Sequence, residues 1–253
     1  ALLDLYARGD LPELFNIVGL ARSEWDDAAY RKFVRETIAD HHENHNHPGE
    51  VIETFIDRVH YVQGSFDDIT AYDRLCDALM TFDSEHSVRS NRLFYLAVPP
   101  KFYEQIFRDL HDTRVGEESE VAWTHILVEK PFGHNFETAQ ALDQHLASLF
   151  REDQIFRIDH YLAKEAVQNI LSFRFANTLL KAPWNNHAVE SVHITMSETI
   201  DVGHRAGFYE GVGALRDVGQ NHLLQLLALV AMREPTEFTP DKIRAERARI
   251  LQA

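Results

Sequence analysis

Asp159, His160, Tyr161 and Lys164 fall within six positions, in Arg157-Ile158-Asp159-His160-Tyr161-Leu162-Ala163-Lys164-Glu165, beside an apolar helical run. Histidine, tyrosine and lysine are donors that could hold a phosphate. A lysine at the start of a helix stands where the backbone dipole also favours an anion. The plainer reading of the same residues is a capped helix start with an Asp–Lys surface pair.

A second group lies on a helical pattern from Gly213 to Met232 that is apolar on most sides and so should be buried. Asp217, Asn221 and Gln225 stand at i, i+4 and i+8, one polar stripe, with His222 about 100° around from Asn221. A polar stripe on a buried helix must face partners or a wet cavity. That leaves two readings, a hydrogen-bonded core histidine or a catalytic imidazole.

The segment Glu129-Lys130-Pro131-Phe132-Gly133 closes a strand-like run with a charge pair and a forced turn. Pro131 pushes Lys130 out of helical geometry, which aims it into a crevice unless it is a simple surface lysine. Fifteen histidines is a high count, and His41-His42-Glu43-Asn44-His45-Asn46-His47 could ligate a metal. Packed ligands without helical spacing read more simply as a solvated loop, and no metal is expected.

These side chains need elements to position them. A helix should end at Arg8-Gly9, followed by a strand in 15–22 and a helix over about 26–40 with Ser23 as a possible cap. Strands follow at 59–62, 92–98 and 124–129, with helices at about 67–82, 101–111 and 136–149 between and after them. This alternation predicts an α/β fold, a Rossmann-like doubly wound parallel sheet with ligands at the carboxyl ends of its strands. After Arg157 the pattern becomes α+β, with a helix from about Lys164 to Phe173, a strand from Val189 to Ser197 and the long helix. The domains expected are 1–159 and 160–253.

The chain has 253 residues, of which 25 are Lys or Arg and 40 are Asp or Glu, for a net charge of −15. A duplex nucleic acid binder needs a basic face, and none is present. The longest apolar stretch falls well short of the ~20 residues of a membrane span. The single cysteine, Cys76, reads as a small core residue and points to a reducing, cytoplasmic setting.

Taken together the motifs resemble one family, the NADP-dependent glucose-6-phosphate 1-dehydrogenases. The matching segments run in family order. They begin with Ile17-Val18-Gly19-Leu20-Ala21-Arg22-Ser23 and Asn91-Arg92-Leu93-Phe94-Tyr95-Leu96-Ala97-Val98-Pro99-Pro100. The Glu129 to Gly133 segment and the Arg157 to Glu165 segment follow, then Arg174-Phe175-Ala176-Asn177. Gly213-Ala214-Leu215-Arg216-Asp217 and Gln220-Asn221-His222-Leu223-Leu224-Gln225 complete the series. The resemblance covers essentially the whole chain.

The resemblance implies oxidation of glucose 6-phosphate at C1 to 6-phosphogluconolactone, with hydride passing to NADP+, the first step of the oxidative pentose phosphate pathway. His222 matches the general base and Asp159 the residue that orients it. His160, Tyr161 and Lys164 match the phosphate grip, Lys130 a contact to sugar and cofactor, and Glu198 and Asp217 ligands of sugar hydroxyls. Arg22 matches the residue that recognises the NADP 2′-phosphate, and Tyr95 a cofactor contact. Lys130, Arg157, His160 and Lys164 would offset the chain's acidic field locally, since the Debye length is ~8 Å at physiological ionic strength. Ala163 stands where the family usually has glycine, which the backbone tolerates if φ there is negative. The chain is expected to be a fragment that lacks the first Gly-rich strand and turn and most of the C-terminal sheet, to be inactive by itself, and to come from a homo-oligomeric parent. The rival readings are another NAD(P)-dependent sugar oxidoreductase and a non-catalytic regulatory paralogue.

Overall fold

The computed structural model describes residues 1–40, 47–113, 115–133, 135–197, 203, 209 and 212–253. The chain forms two compact units. One comprises residues 1–127 and 140–156, the other residues 128–139 and 157–253.

The first unit opens with α1 (Leu2–Arg8), which ends at Gly9 in the left-handed conformation, φ 74°. Next come β1 (Ile17–Ala21), α2 (Asp27–Asp40), α3 (Gly49–Ile56) and β2 (Val59–Gln63). β1 and β2 pair in parallel, Ile17 opposite Val59 through Ala21 opposite Gln63. Buried Phe55, Ile56 and Val59 form a core against which Leu3, Tyr6, Ile17, Tyr30 and Val34 pack. Gly19 lies mid-strand because a Cβ there would stand 2.7 Å from the Tyr30 ring. α2 is capped by Asp26, whose carboxylate accepts from the Ala29 N–H at 2.8 Å, and not by Ser23 as expected. The Ser23 carbonyl instead accepts from the Tyr61 hydroxyl. The sequence reading missed α3, because Pro48-Gly49 looks like a loop. Pro48 in fact occupies the N-cap, and buried Phe55 and Ile56, with half-buried Val51 and Ile52, supply the apolar stripe.

α4 (Ile69–His86) follows, starting two residues later than expected because the Asp68 side chain accepts from the Thr70 N–H as cap. Cys76 on α4 is only half-buried, its thiol 3.8 Å from the Met80 sulfur, because the helix turns it toward the rim of the core. β3 (Arg92–Leu96), α5 (Tyr103–Asp112), β4 (Thr124–Glu129), α6 (Phe136–Leu149) and β5 (Ile155–Ile158) complete the alternation. The sheet order is β3-β4-β5, separate from β1-β2.

In the second unit, α7 (Glu165–Phe175), α8 (Thr178–Lys181), a π-helical segment (Leu215–Leu223), α9 (Leu224–Ala231) and α10 (Pro240–Leu251) are the defined helices. Buried Val167, Leu229 and Met232 form their core, with Leu162, Ile170, Phe175, Leu226, Ile243 and Ile250 packed around it. Two expectations are corrected here. Residues 189–197 form no strand, since among the described residues that stretch has no pairing partner to complete a ladder. The Gly213–Met232 span is not one uniformly buried α-helix. Its first part is π-helical, and Leu215 is 72% exposed, because only the flank bearing Asp217, His222, Ala228 and Leu229 packs inward. Among the described residues no helix is long and apolar enough to cross a membrane.

Candidate active site

The chain leaves β5 into a tight turn written by its own sequence. The Asp159 carboxylate accepts from the Tyr161 N–H at 3.0 Å, and the Asp159 carbonyl accepts from the Leu162 N–H. Aspartate is a natural residue here because its short side chain bonds the backbone two residues on, and so a local bond orients its carboxylate. The Tyr161 carbonyl then accepts from the Lys164 N–H, and Lys164 becomes the N-cap residue of α7. Ala163 causes no strain. Ser87 is the only non-glycine with positive φ among the described residues.

The same Asp159 oxygen lies 2.6 Å from His222 Nδ1. A carboxylate at that distance accepts, so Nδ1 donates and the lone pair is on Nε2. The π-helical segment explains how His222 arrives there together with Asp217. Five residues apart, they would point about 140° apart on an α-helix. The wider i→i+5 turn brings them toward one face. Both side chains are buried.

Lys130 follows β4, the neighbour of β5 in the sheet, across a cis bond to Pro131. Its ammonium donates to the Asp217 carbonyl at 2.5 Å, to the Asp217 carboxylate at 3.0 Å and to His222 Nε2 at 3.0 Å. This is no surface lysine. The Tyr161 ring stacks on the His222 imidazole at 4.1 Å, and His160 meets the imidazole edge-on at 4.7 Å. The Lys164 ammonium sits 3.6 Å from the Tyr161 ring centroid.

Burial holds the His222 pKa below the ordinary imidazole value. Asp159 opposes that shift, while Lys130 and His160 reinforce it. The neutral ring is therefore favoured, with one nitrogen committed to a carboxylate and the other able to accept a proton. A structure of this kind can act as a general base.

The polar stripe expected on one helix face is divided. Asp217 turns to Lys130, Asn221 donates to the Arg216 carbonyl, and Gln225 accepts from Arg247. Asp159, His160, Tyr161, Lys164, Lys130, Asp217 and His222 thus come together within the second unit. Arg157 lies on β5, half-buried. Arg22 and Tyr95 belong to the first unit, Arg22 exposed just past β1 and Tyr95 exposed on β3. Glu198 lies outside the described residues, as do positions 41–46 of the histidine loop. His47 pairs with Asp4 at 2.8 Å, and no metal-ligand cluster occurs among the described residues.

Sequence reading overlooked Arg247. The signal was present in Ile243, Arg247 and Ile250, whose i, i+4, i+7 spacing sets a cation on an apolar helix face.

Over residues 1–169 the sequence matches the family described as "Glucose-6-phosphate dehydrogenase, NAD binding domain". Residues 171–253 match "Glucose-6-phosphate dehydrogenase, C-terminal domain". The chain belongs to the glucose-6-phosphate dehydrogenase family. Glucose-6-phosphate 1-dehydrogenase 2 of Mycobacterium tuberculosis (strain ATCC 25618 / H37Rv) is 42% identical over 256 residues, covering 100% of this chain and 49% of that protein. The glucose-6-phosphate 1-dehydrogenase of Bacillus subtilis (strain 168) is 36% identical, over 98% of this chain and 49% of its own length. A solved glucose-6-phosphate dehydrogenase in complex with its substrate glucose-6-phosphate superposes with TM-score 0.89 at 36% identity. That match covers 100% of this chain and 51% of the other. The Mycobacterium avium crystal structure gives TM-score 0.84 at 33% identity, over 100% of this chain and 53% of that one. The chain spans about half the length of the curated relatives it matches.

Proposed function

We propose that the His222 cluster serves the oxidation of glucose 6-phosphate at C1 to 6-phosphogluconolactone, with His222 as general base. The observation that carries this reading is the 2.6 Å contact between His222 Nδ1 and Asp159, which leaves Nε2 as the one nitrogen able to accept the C1 hydroxyl proton. Asp159 fixes the tautomer and ring orientation, and it compensates the positive charge that His222 acquires.

His160, Tyr161 and Lys164 grip the sugar's phosphate. A phenol, an imidazole and an ammonium at the start of α7 form a donor set suited to a phosphate monoester. Asp217 accepts from sugar hydroxyls, and Glu198 is assigned the same task. Lys130, shared between Asp217 and His222, contacts both the sugar and the cofactor.

NADP+ supplies the hydride acceptor when bound. The first unit offers donors that fit it. Arg22 presents an exposed guanidinium at the carboxyl end of a parallel strand, where a doubly wound sheet receives ligands, and a cation there suits the 2′-phosphate. Tyr95 supplies an exposed ring on β3 for a further contact.

The test compares substrates in a protein that carries this sequence at the length of its relatives. Reduced nicotinamide should form with glucose 6-phosphate and NADP+, and far more slowly with unphosphorylated glucose. Equal rates with the two sugars would remove the role given to His160, Tyr161 and Lys164. No turnover with either would remove the reading.

A further inference from the structure

The lone pair on His222 Nε2 lies in the plane of the imidazole, so a tilt of that plane swings it off the line of an approaching proton. Two hydrogen bonds act on the ring. Nδ1 is held by Asp159 at 2.6 Å and Nε2 by the Lys130 ammonium at 3.0 Å. The second is lost once a hydroxyl takes the place of Lys130, and a single bond at Nδ1 leaves the tilt open. The groups packed against the ring must then set its plane.

The Tyr161 ring is placed to do so. Its centroid lies 4.1 Å from that of the imidazole, with 29° between the planes. His160 meets the imidazole at 81° and gives it no parallel wall. Among the described residues Tyr161 is the one aromatic ring stacked on His222.

The Tyr161 ring is itself clamped. The Lys164 ammonium stands 3.6 Å from the same centroid. An ammonium and an imidazole so close to one centroid would overlap on a shared face, so they occupy opposite faces and the ring lies between them. At the backbone, the Tyr161 N–H donates at 3.0 Å to the Asp159 oxygen that also holds Nδ1. One turn thus supplies both the bond to the imidazole and the wall beside it.

We propose that Tyr161 is a positioning residue for His222, its ring setting the plane of the imidazole and so aiming Nε2, a task separate from the hydroxyl it brings to the phosphate grip. The proposal rests on the reading of His222 as the base and deepens it. The ring should therefore appear in kcat and the hydroxyl in KM.

The test combines steady-state kinetics, in a protein that carries this sequence at the length of its relatives, with NMR of the histidine-labelled chain without substrate, assigned with His222→Asn. Tyr161→Phe keeps the ring and loses the hydroxyl, so it should raise the KM for glucose 6-phosphate and hold kcat within about twofold. Tyr161→Leu and Tyr161→Met lose the ring as well and should lower kcat by about tenfold or more, as misalignment of a reacting group does. The His222 ring protons should lie upfield in the unsubstituted chain and in Tyr161→Phe, under the ring current of the stacked aromatic, and move downfield in the two ringless variants. Equal kcat with and without the ring overturns the proposal, as does a fall in Tyr161→Phe as deep as in Tyr161→Leu, or a His222 spectrum unmoved by loss of the ring. Unfolding of both ringless variants also overturns it, since the ring would then be a support of the fold. Turnover that survives with Leu and Phe alike strikes the positioning role alone, whereas no turnover in the unsubstituted protein strikes the reading of His222 as the base and the positioning role with it.

Discussion

His222 Nε2 and the Lys130 ammonium stand 3.0 Å apart, and the same ammonium is held by both the carbonyl and the carboxylate of Asp217. The lone pair that takes up a proton in the proposed role of His222 is therefore covered by a cation in this state. On the proposed function, a sugar hydroxyl reaching Nε2 would have to take over that position, while the bonds from Lys130 to Asp217 offer the ammonium an alternative hold.

This arrangement predicts the effect of Lys130→Met. Removing the cation takes away one of the influences that depress the His222 pKa, so the imidazole should titrate higher, measured by NMR of the histidine ring. On the proposed function the substitution should also lower kcat, since it would remove the contact to sugar assigned to Lys130.

The depressed pKa of His222 fixes the pH response of stability. Between the ordinary imidazole value of ~6.5 and the lower folded value, the unfolded chain takes up a proton that the folded chain refuses. Stability should therefore fall as pH drops through that window and be unaffected by this group above it. Urea midpoints measured across the window should flatten in His222→Asn. The acid limb of kcat/KM should lie below the ordinary imidazole range for the same reason.

Removing the proposed base or its proposed orienting partner should act on kcat. His222→Asn and Asp159→Asn are each expected to lower kcat by about 10²–10⁴-fold, the usual worth of general base catalysis. Lys164→Met should instead raise the KM for glucose 6-phosphate with a smaller effect on kcat. Steady-state kinetics in a protein of the relatives' length separates the two patterns, and a fall in kcat below tenfold for His222→Asn would argue against its role.

Arg174 offers a test of the scaffold. From α7 its buried guanidinium donates to the Leu229 carbonyl at 2.5 Å and to the Met232 carbonyl at 2.8 Å, tying α7, which follows the Lys164 cap, to the end of α9. Arg174→Ala strands both carbonyls and should cost about 2–4 kcal/mol in urea denaturation.

Gly64 tests the other unit. A Cβ there would stand 2.2 Å from the Ala71 Cβ on α4, and the backbone at the end of β2 would have to retreat. Gly64→Ala should destabilise by about 1–3 kcal/mol, read from the thermal or urea midpoint of the whole chain.

The sequence by itself determined the local features. The Asp159-His160-Tyr161 turn is built from an aspartate bonding its own neighbourhood, and the strand and helix alternation up to residue 149 follows from apolar periodicity, which is also local. Several features needed the fold. α3 was hidden because a proline and a glycine next to each other serve a helix start as readily as a loop. The 189–197 stretch has strand composition, but pairing depends on a partner that composition does not supply. The polar stripe on the His222 helix was counted at an α-helical period, and the π-turn regrouped it, taking Asp217 to Lys130 and leaving Gln225 for Arg247. Only tertiary structure could bring residues 63 and 92 positions apart onto one imidazole, because spacing along a chain carries no record of which buried face meets which strand end.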